Sequence, residues 1–383
     1  MKHSNIIENI SETRKYNNVN ENPRYLTEQI LTYMGNKRAL LPFIADIVLL
    51  VKKELNKQKI TAVDLFSGSG IVSRFLKAHC DCLYMNDLED YCYTINKCYM
   101  ANKKEIDFTA LNDCYTKVVS ILDNEPLRSG FISEMYAPKN DKNIQEGERV
   151  FYTTRNANYI DTARQLIGEL EEPYRTFLLA PLLYEASVHT NTCGKFKGFY
   201  KNSKTGIGQF GGDGRNALKR IMADIKLPFP VFSNYNCNTI IYKCDSNVLA
   251  KELPLVDFVY IDPPYNQHPY SSNYFMLNLI DNYIKPTKYS NVCGIPVEWN
   301  KSAYNKKQTA YESMIDLCKS LNAKYMLVSF NNEGYITKEE MVNLLSSIGK
   351  LIVYEKNYNT FRASRNFNNR SIYVKEYLYL VRK

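Results

Sequence analysis

The chain has little histidine and none of the cysteine spacing that holds zinc. Its four histidines (His3, His79, His189, His268) are scattered and its ten cysteines form no CxxC pair. Neither a metal site nor a disulfide framework is expected, and reduced thiols point to the cytoplasm. A long apolar run is also missing: LLPFIADIVLLV (40–51) is interrupted by Asp46 and stops well short of the ~20 residues of a membrane span. The opening stretch MKHSNIIENISETRKYNNVNENP has no apolar centre, so no signal peptide is expected and residues 1–22 read as a flexible tail. No internal repeat is visible. What is present is a globular balance, 45% hydrophobic and 23% charged over 383 residues, enough for roughly two to three domains at about 150 residues each.

Charge is unevenly placed. The chain carries +9, yet Ser187 to Arg220 and Lys356 to Lys383 hold +6 each, which leaves the other residues at −3. Two basic segments on a slightly acidic body suit a polyanionic partner.

Several short runs are apolar without alternation, the pattern of strands buried on both faces. They are TAVDLF (61–66), CLYMND (82–87), IIYKCD (240–245), FVYIDPP (258–264) and YMLVSFNN (325–332). Helical patterns follow the first two, so an α/β fold with a mostly parallel sheet is expected. Ligands of such sheets collect at the carboxyl ends of the strands. Asp64, Asp87, Asp245 and Asp262 all fall at or next to those ends. Any one of them could be a helix cap; four in succession suggest a site. The first turn, DLFSGSGIVS, offers Gly68 and Gly70 for a tight approach to a ligand, with Asp87 placed to reach ribose hydroxyls. Ser73 stands where a dinucleotide fingerprint has its third glycine, which argues against a pyrophosphate cofactor.

The stretch DFVYIDPPYNQHPY (257–270) ends a buried strand on an acid, two prolines and an aromatic ring. Pro263 and Pro264 remove two backbone donors and stiffen the turn. Carbonyl acceptors, the Asp262 carboxylate and the face of Tyr265 together match an amino group on a flat heterocycle. His268 and Tyr270 could line the same place, although loop filling is the simpler reading of each.

With these residues in view, the sequence resembles the S-adenosylmethionine-dependent DNA adenine-N6 methyltransferases of the Dam-like, D12 class, restriction-modification type. DLFSGSG matches the family's cofactor loop, DPPY its catalytic tetrapeptide, and YMGNKRALLPFI (33–44) its extra N-terminal motif; SFNNEGY (329–335) and the C-terminal tail are similar to segments of restriction-system methylases. The resemblance implies a Rossmann-like, mostly parallel seven-stranded sheet with a reversed last strand, supplied by LIVYEK (351–356) and YLYLVRK (377–383). It implies S-adenosylmethionine as cofactor, with Asp64, Phe66, Gly68 and Gly70 around its methionine half, Asp87 on the ribose and Asp245 on the adenine. Tyr33 and Lys37 would close the pocket, Lys37 near the cofactor carboxylate. Asp262, Pro263, Pro264 and Tyr265 would be catalytic. Double-stranded DNA and a cognate restriction endonuclease are the implied partners.

One crossover needs about 30 residues, far fewer than separate Asp87 from Asp245. Residues 105–237 therefore read as an inserted target-recognition domain, opening in polar, turn-rich sequence, within a catalytic domain of 23–104 and 238–383. The insertion holds the apolar helical patch RTFLLAPLLYEA (175–186) and then HTNTCGKFKGFYKNSKTGIGQFGGDGR. Lys195, Lys197 and Lys201 there, and Arg362, Arg365 and Arg370 in the tail, are the expected DNA contacts. Cytosine-N4, RNA or protein-glutamine methylation, and a non-catalytic DNA-binding protein with a cofactor pocket, are the alternatives.

Overall fold

The apolar runs become strands of a single sheet. A computed structural model describes residues 20–359 and 373–383. The strands are β1 (Ile60–Asp64), β2 (Cys80–Asn86), β3 (Asn238–Tyr242), β4 (Val256–Ile261), β5 (Ala323–Asn331), β6 (Lys350–Asn359) and β7 (Tyr373–Arg382). Their spatial order is β3-β2-β1-β4-β5-β7-β6. The first five are parallel, and β7 runs antiparallel between β5 and β6. The strand order therefore reverses beside β1 and β4, which opens a crevice at their carboxyl ends.

Helices α1 (Leu41–Glu54), α2 (Ile71–Lys77) and α3 (Asp90–Met100) come early in the chain. The insertion supplies α4 (Phe108–Asn124), α5 (Phe131–Tyr136), α6 (Thr154–Gly168), α7 (Tyr174–Val188) and α8 (Leu218–Met222). After β3 come α9 (Ser246–Ala250), α10 (Tyr270–Asn273), α11 (Phe275–Asn282), α12 (Lys307–Ser320) and α13 (Lys338–Ile348). Strand side chains alternate between two cores. On β4, Phe258 and Tyr260 face a layer built on α1, α2, α3 and α11, while Val259 and Ile261 face α9, α12 and α13.

Where turn-rich sequence was expected, the insertion opens with α4, an amphipathic helix burying Leu111, Val118 and Leu122. Its helices do not form a core of their own. Ile160, Phe177 and Leu183 join the same cluster as Ile95 and Tyr274, so the insertion is packed onto the helical layer of the sheet. Of the expected tail, residues 1–19 lie outside the described residues; Glu21 accepts hydrogen bonds from Ser233 Oγ and Asn234 N. Beyond it, the Arg74 guanidinium binds the carbonyls of Tyr25, Glu28 and Gln29 and so fixes the approach to Tyr33. Among the described residues no helix is long and apolar enough to cross a membrane.

Candidate active site

A crevice open to solvent lies at the carboxyl ends of β1, β2, β3 and β4, where ligands of such sheets collect. One wall is the loop after β1. Gly68 and Gly70 have φ of +49° and +74°, a region that L side chains rarely occupy. Space is short as well: a Cβ on Gly70 would run into Asn96 Oδ1, and one on Gly68 would sit a tight 3.1 Å from the Tyr33 ring. Asp64, buried at the end of β1, accepts from Ser73 Oγ at 2.6 Å. That contact explains serine at the third fingerprint position. Asp64 Oδ1 is buried without a hydrogen-bond partner, and burial raises its pKa to about 7 against the opposing Ser73 bond.

Asp87 follows β2 and pins this loop: its carboxylate accepts from Gly68 N at 2.7 Å and Glu89 N at 3.0 Å. Burial raises its pKa too. Glu89, at the entry to α3, is a wall residue that the sequence reading passed over. It accepts from Asn278 Nδ2 at 2.6 Å and contacts Ser271 Oγ at 2.5 Å. Ser271 has one proton but faces two acceptors, Glu89 Oε1 and the Asn300 carbonyl at 2.8 Å. Burial pushes the Glu89 pKa up to about 7, against the Ser271 and Asn278 hydrogen bonds that favour its charged form. Asp245 caps α9 through Asn247 N and Val248 N and also lines the crevice, where Phe66 meets Tyr304 edge-on at 5.4 Å.

The opposite wall begins at Asp262, one residue past β4. Lys37 is buried, 5% exposed. Its ammonium lies 3.0 Å from Asp262 Oδ1 and 3.3 Å from Glu376 Oε1 on β7. Burial works against the Lys37 charge, but the two carboxylates outweigh it and hold its pKa well above the ordinary value. Burial raises Asp262 to about 6, with Lys37 opposing and Glu376 adding to the rise; at neutral pH the pair is therefore charged. Ser329 Oγ donates to Glu376 at 2.8 Å. Glu376 carries no local motif, and only the β5–β7 register brings it here.

Pro264 lines the crevice and Pro263 is buried. Tyr265 is not among the residues that line the crevice; half-buried, it packs against the core under α9, α12 and α13, edge-on to Phe330 at 5.8 Å, with its carbonyl accepting from Tyr335 N. Tyr33 packs its ring against Tyr270 at 4.9 Å and Tyr274 at 4.6 Å. Tyr270 is thus a wall residue rather than loop filler, whereas His268 is exposed. Burial, then Lys197 and Lys195, lower the His268 pKa, and Phe196 N donates to the Asn273 carbonyl at 2.7 Å. The basic stretch after α7 therefore runs beside the loop after β4. Lys201 lies over the Phe199 ring. Arg362, Arg365 and Arg370 lie outside the described residues.

Known proteins are similar to this sequence along most of the chain. The chain is 31% identical over 360 residues to the Type II methyltransferase M.CviAII of Paramecium bursaria Chlorella virus 1, covering 91% of this chain and 97% of that protein. It is 28% identical to M.NlaIII of Neisseria lactamica, over 92% of this chain and 99% of that one. Against M.FokI of Planomicrobium okeanokoites the identity is 27%, over 92% of this chain and 53% of that protein. The family model of D12 class N6 adenine-specific DNA methyltransferases matches residues 33–344. That span runs from Tyr33 through the glycine loop and Asp262 into α13, and the chain belongs to this family of adenine-specific DNA methyltransferases.

Proposed function

We propose that the chain transfers the methyl group of S-adenosylmethionine to N6 of an adenine swung out of double-stranded DNA. We assign it as the cytoplasmic modification partner of a restriction endonuclease, a pairing suggested by its likeness to the Type II methyltransferases. The observation that carries the reading is the ion-paired Asp262 at the lip of a crevice whose far wall is the glycine loop.

The lining favours a cationic cofactor. Five carboxylates (Asp64, Asp87, Glu89, Asp245, Asp262) face it against one cation, Lys37. Asp64 and Glu89, raised to about 7, are only partly charged at neutral pH, yet a pyrophosphate would still meet more acids than cations, whereas the unpartnered Asp64 Oδ1 suits a positive or hydrogen-donating group. Asp64, Phe66, Gly68 and Gly70 would hold the methionine half, Asp87 with Glu89 the ribose, and Asp245 the adenine, with Tyr33 closing over them. Lys37 is committed to Asp262, so its task in this reading is to keep that carboxylate ionised rather than to bind the cofactor carboxylate. When bound, S-adenosylmethionine supplies a methyl group already activated by a positive sulfur.

The protein's share of the chemistry is then placement. The lone pair of an adenine amino group is spread into its ring. Hydrogen bonds from that amine to Asp262 and to the Pro263 carbonyl favour a more tetrahedral nitrogen with its lone pair free, in a site shielded from water. Extrusion of the base costs a few kcal/mol; stacking on Tyr265 offsets part, on the order of 1 to 3 kcal/mol. Asp262 in place of serine disfavours a cytosine amine as target. Expression in a host without adenine methylation, followed by modification-sensitive sequencing, tests the assignment. N6-methyladenine at one short sequence is expected; N4-methylcytosine, or unmodified DNA, would contradict it.

A further inference from the structure

Residues 283–306, between α11 and α12, carry apolar side chains where a solvated loop would carry polar ones. Five of the ten large hydrophobics exposed among the described residues fall here: Ile284 (70%), Tyr289, Val292 (62%), Val297 (60%) and Trp299 (40%). Single exposed hydrophobics are ordinary; a cluster marks a contact surface. The segment is not loosely held. Ser290 N donates to the Ile295 carbonyl at 2.8 Å and Val297 N to the Lys288 carbonyl at 3.1 Å, closing a hairpin. Tyr136 donates its hydroxyl to the Gly294 carbonyl at 2.6 Å, and the Arg149 guanidinium stands 5.0 Å from the Tyr289 ring. The fold thus fixes these side chains in the open.

Position and charge identify the occupant. At one end Cys293 Sγ donates to the Lys197 carbonyl at 2.9 Å, which joins the hairpin to the basic stretch of the insertion. At the other, Asn300 Nδ2 donates to the Leu88 carbonyl and Asn305 Nδ2 to the Asn266 carbonyl, both at 2.8 Å, which ties it to the crevice lip. The segment contains Lys288, Lys301 and Lys306 against Glu298, while its fourth lysine, Lys285, is paired with Glu134 at 2.7 Å. A second copy of a +9 chain is a poor partner for that surface, and a polyanion is a good one. A duplex that delivers an adenine to Asp262 must pass over whatever lies between the lip and the basic stretch.

We propose that the 284–299 segment is a second DNA-facing element, which lies against the duplex beside the extruded adenine with the Trp299 ring packed on a base or sugar. This rests on the reading that the crevice receives a swung-out adenine. Trp299 is the only tryptophan in the sequence, so its emission reports on this surface alone. Titration of the full-length protein with a duplex containing its own methylation site should change that emission, and S-adenosylhomocysteine alone should not. Trp299→Ala should lose about tenfold in duplex affinity, with Trp299→Phe restoring most of it and cofactor affinity the same in all three. Unchanged emission and wild-type affinity of Trp299→Ala, on a duplex that is still bound and methylated, would overturn the inference and leave the methyltransfer reading intact. Emission that follows S-adenosylhomocysteine, or protein concentration without DNA, would equally overturn it by assigning the segment to the cofactor or to a second copy. A protein that neither binds nor methylates any duplex would sink both readings.

Discussion

The two walls of the crevice are built by different means. The Gly68 wall is local and backbone-centred: Asp87 grips Gly68 N and Glu89 N, and Ser73 grips Asp64, all within one βαβ unit. The Asp262 wall is made of side chains from distant parts of the chain, a lysine before α1, an aspartate after β4 and a glutamate on β7. The first wall is rigid because its geometry disfavours anything but glycine. The second depends on a charge balance, and it is there that the reactive amine would be held. In the proposed reading the glycine-loop wall would serve the donor and the ion-paired wall the target.

The balance is the easier half to break. Lys37→Met leaves Asp262 and Glu376 as buried carboxylates without their shared cation. Asp262 then rises above its present value of about 6, so the acid limb of the rate profile should move to higher pH, with a loss of about a hundredfold or more at pH 7 and partial recovery toward pH 8.5. A pH–rate profile checks this, with thermal unfolding to separate lost charge from lost fold. An unshifted limb would mean that Lys37 does not set the Asp262 charge.

The donor wall should respond in stability instead. Glu89 stands near 7 in the folded chain against an ordinary 4.5. The native state binds that proton more tightly than the unfolded one, so this stabilisation is complete below pH 4.5 and disappears as pH rises through 7. The difference corresponds to about 3 kcal/mol. Glu89→Gln should flatten the decline of stability between pH 5 and 8, measured by urea unfolding without cofactor; an unaltered slope would place the proton elsewhere. The smallest effect belongs outside both walls. Replacing Lys195, Lys197 and Lys201 by alanine should reduce the salt slope of duplex affinity by about one for each lysine that meets a phosphate, with little change in cofactor affinity. An unchanged slope would move the DNA path off the insertion.

The same contrast governs what the amino-acid sequence makes legible. The five parallel strands and the β6–β7 pair fall within a few residues of the apolar runs; β1, β4 and β5 are buried on both faces, which leaves an unbroken run. The donor wall is equally readable, since its residues lie in one turn and the strand that follows. On the target wall Asp262 announces itself, and Lys37 is picked out by resemblance but with the cofactor carboxylate, not Asp262, as its expected partner. Glu376 is an acid within a β-rich tail, and nothing in its neighbourhood indicates that β7 slots beside β5. Tyr270 and Glu89 had a weak signal, an aromatic and an acid close to known positions, that spacing alone could not separate from loop filling. The α4 helix was readable from Leu111, Val118 and Leu122 but was hidden by the polar stretch that follows it. That the insertion shares the core of the sheet could not be read, because an apolar helix face does not say what covers it.

The central claim is that Asp262 holds the target amine and contributes little to donor binding. Asp262→Asn, with single-turnover methyl transfer and calorimetric S-adenosylmethionine affinity measured on one preparation, tests it most directly. The account predicts transfer slowed on the order of 10³-fold with cofactor affinity within about threefold of wild type. Near-normal transfer, or a collapse of cofactor affinity that accounts for the whole loss, would contradict it.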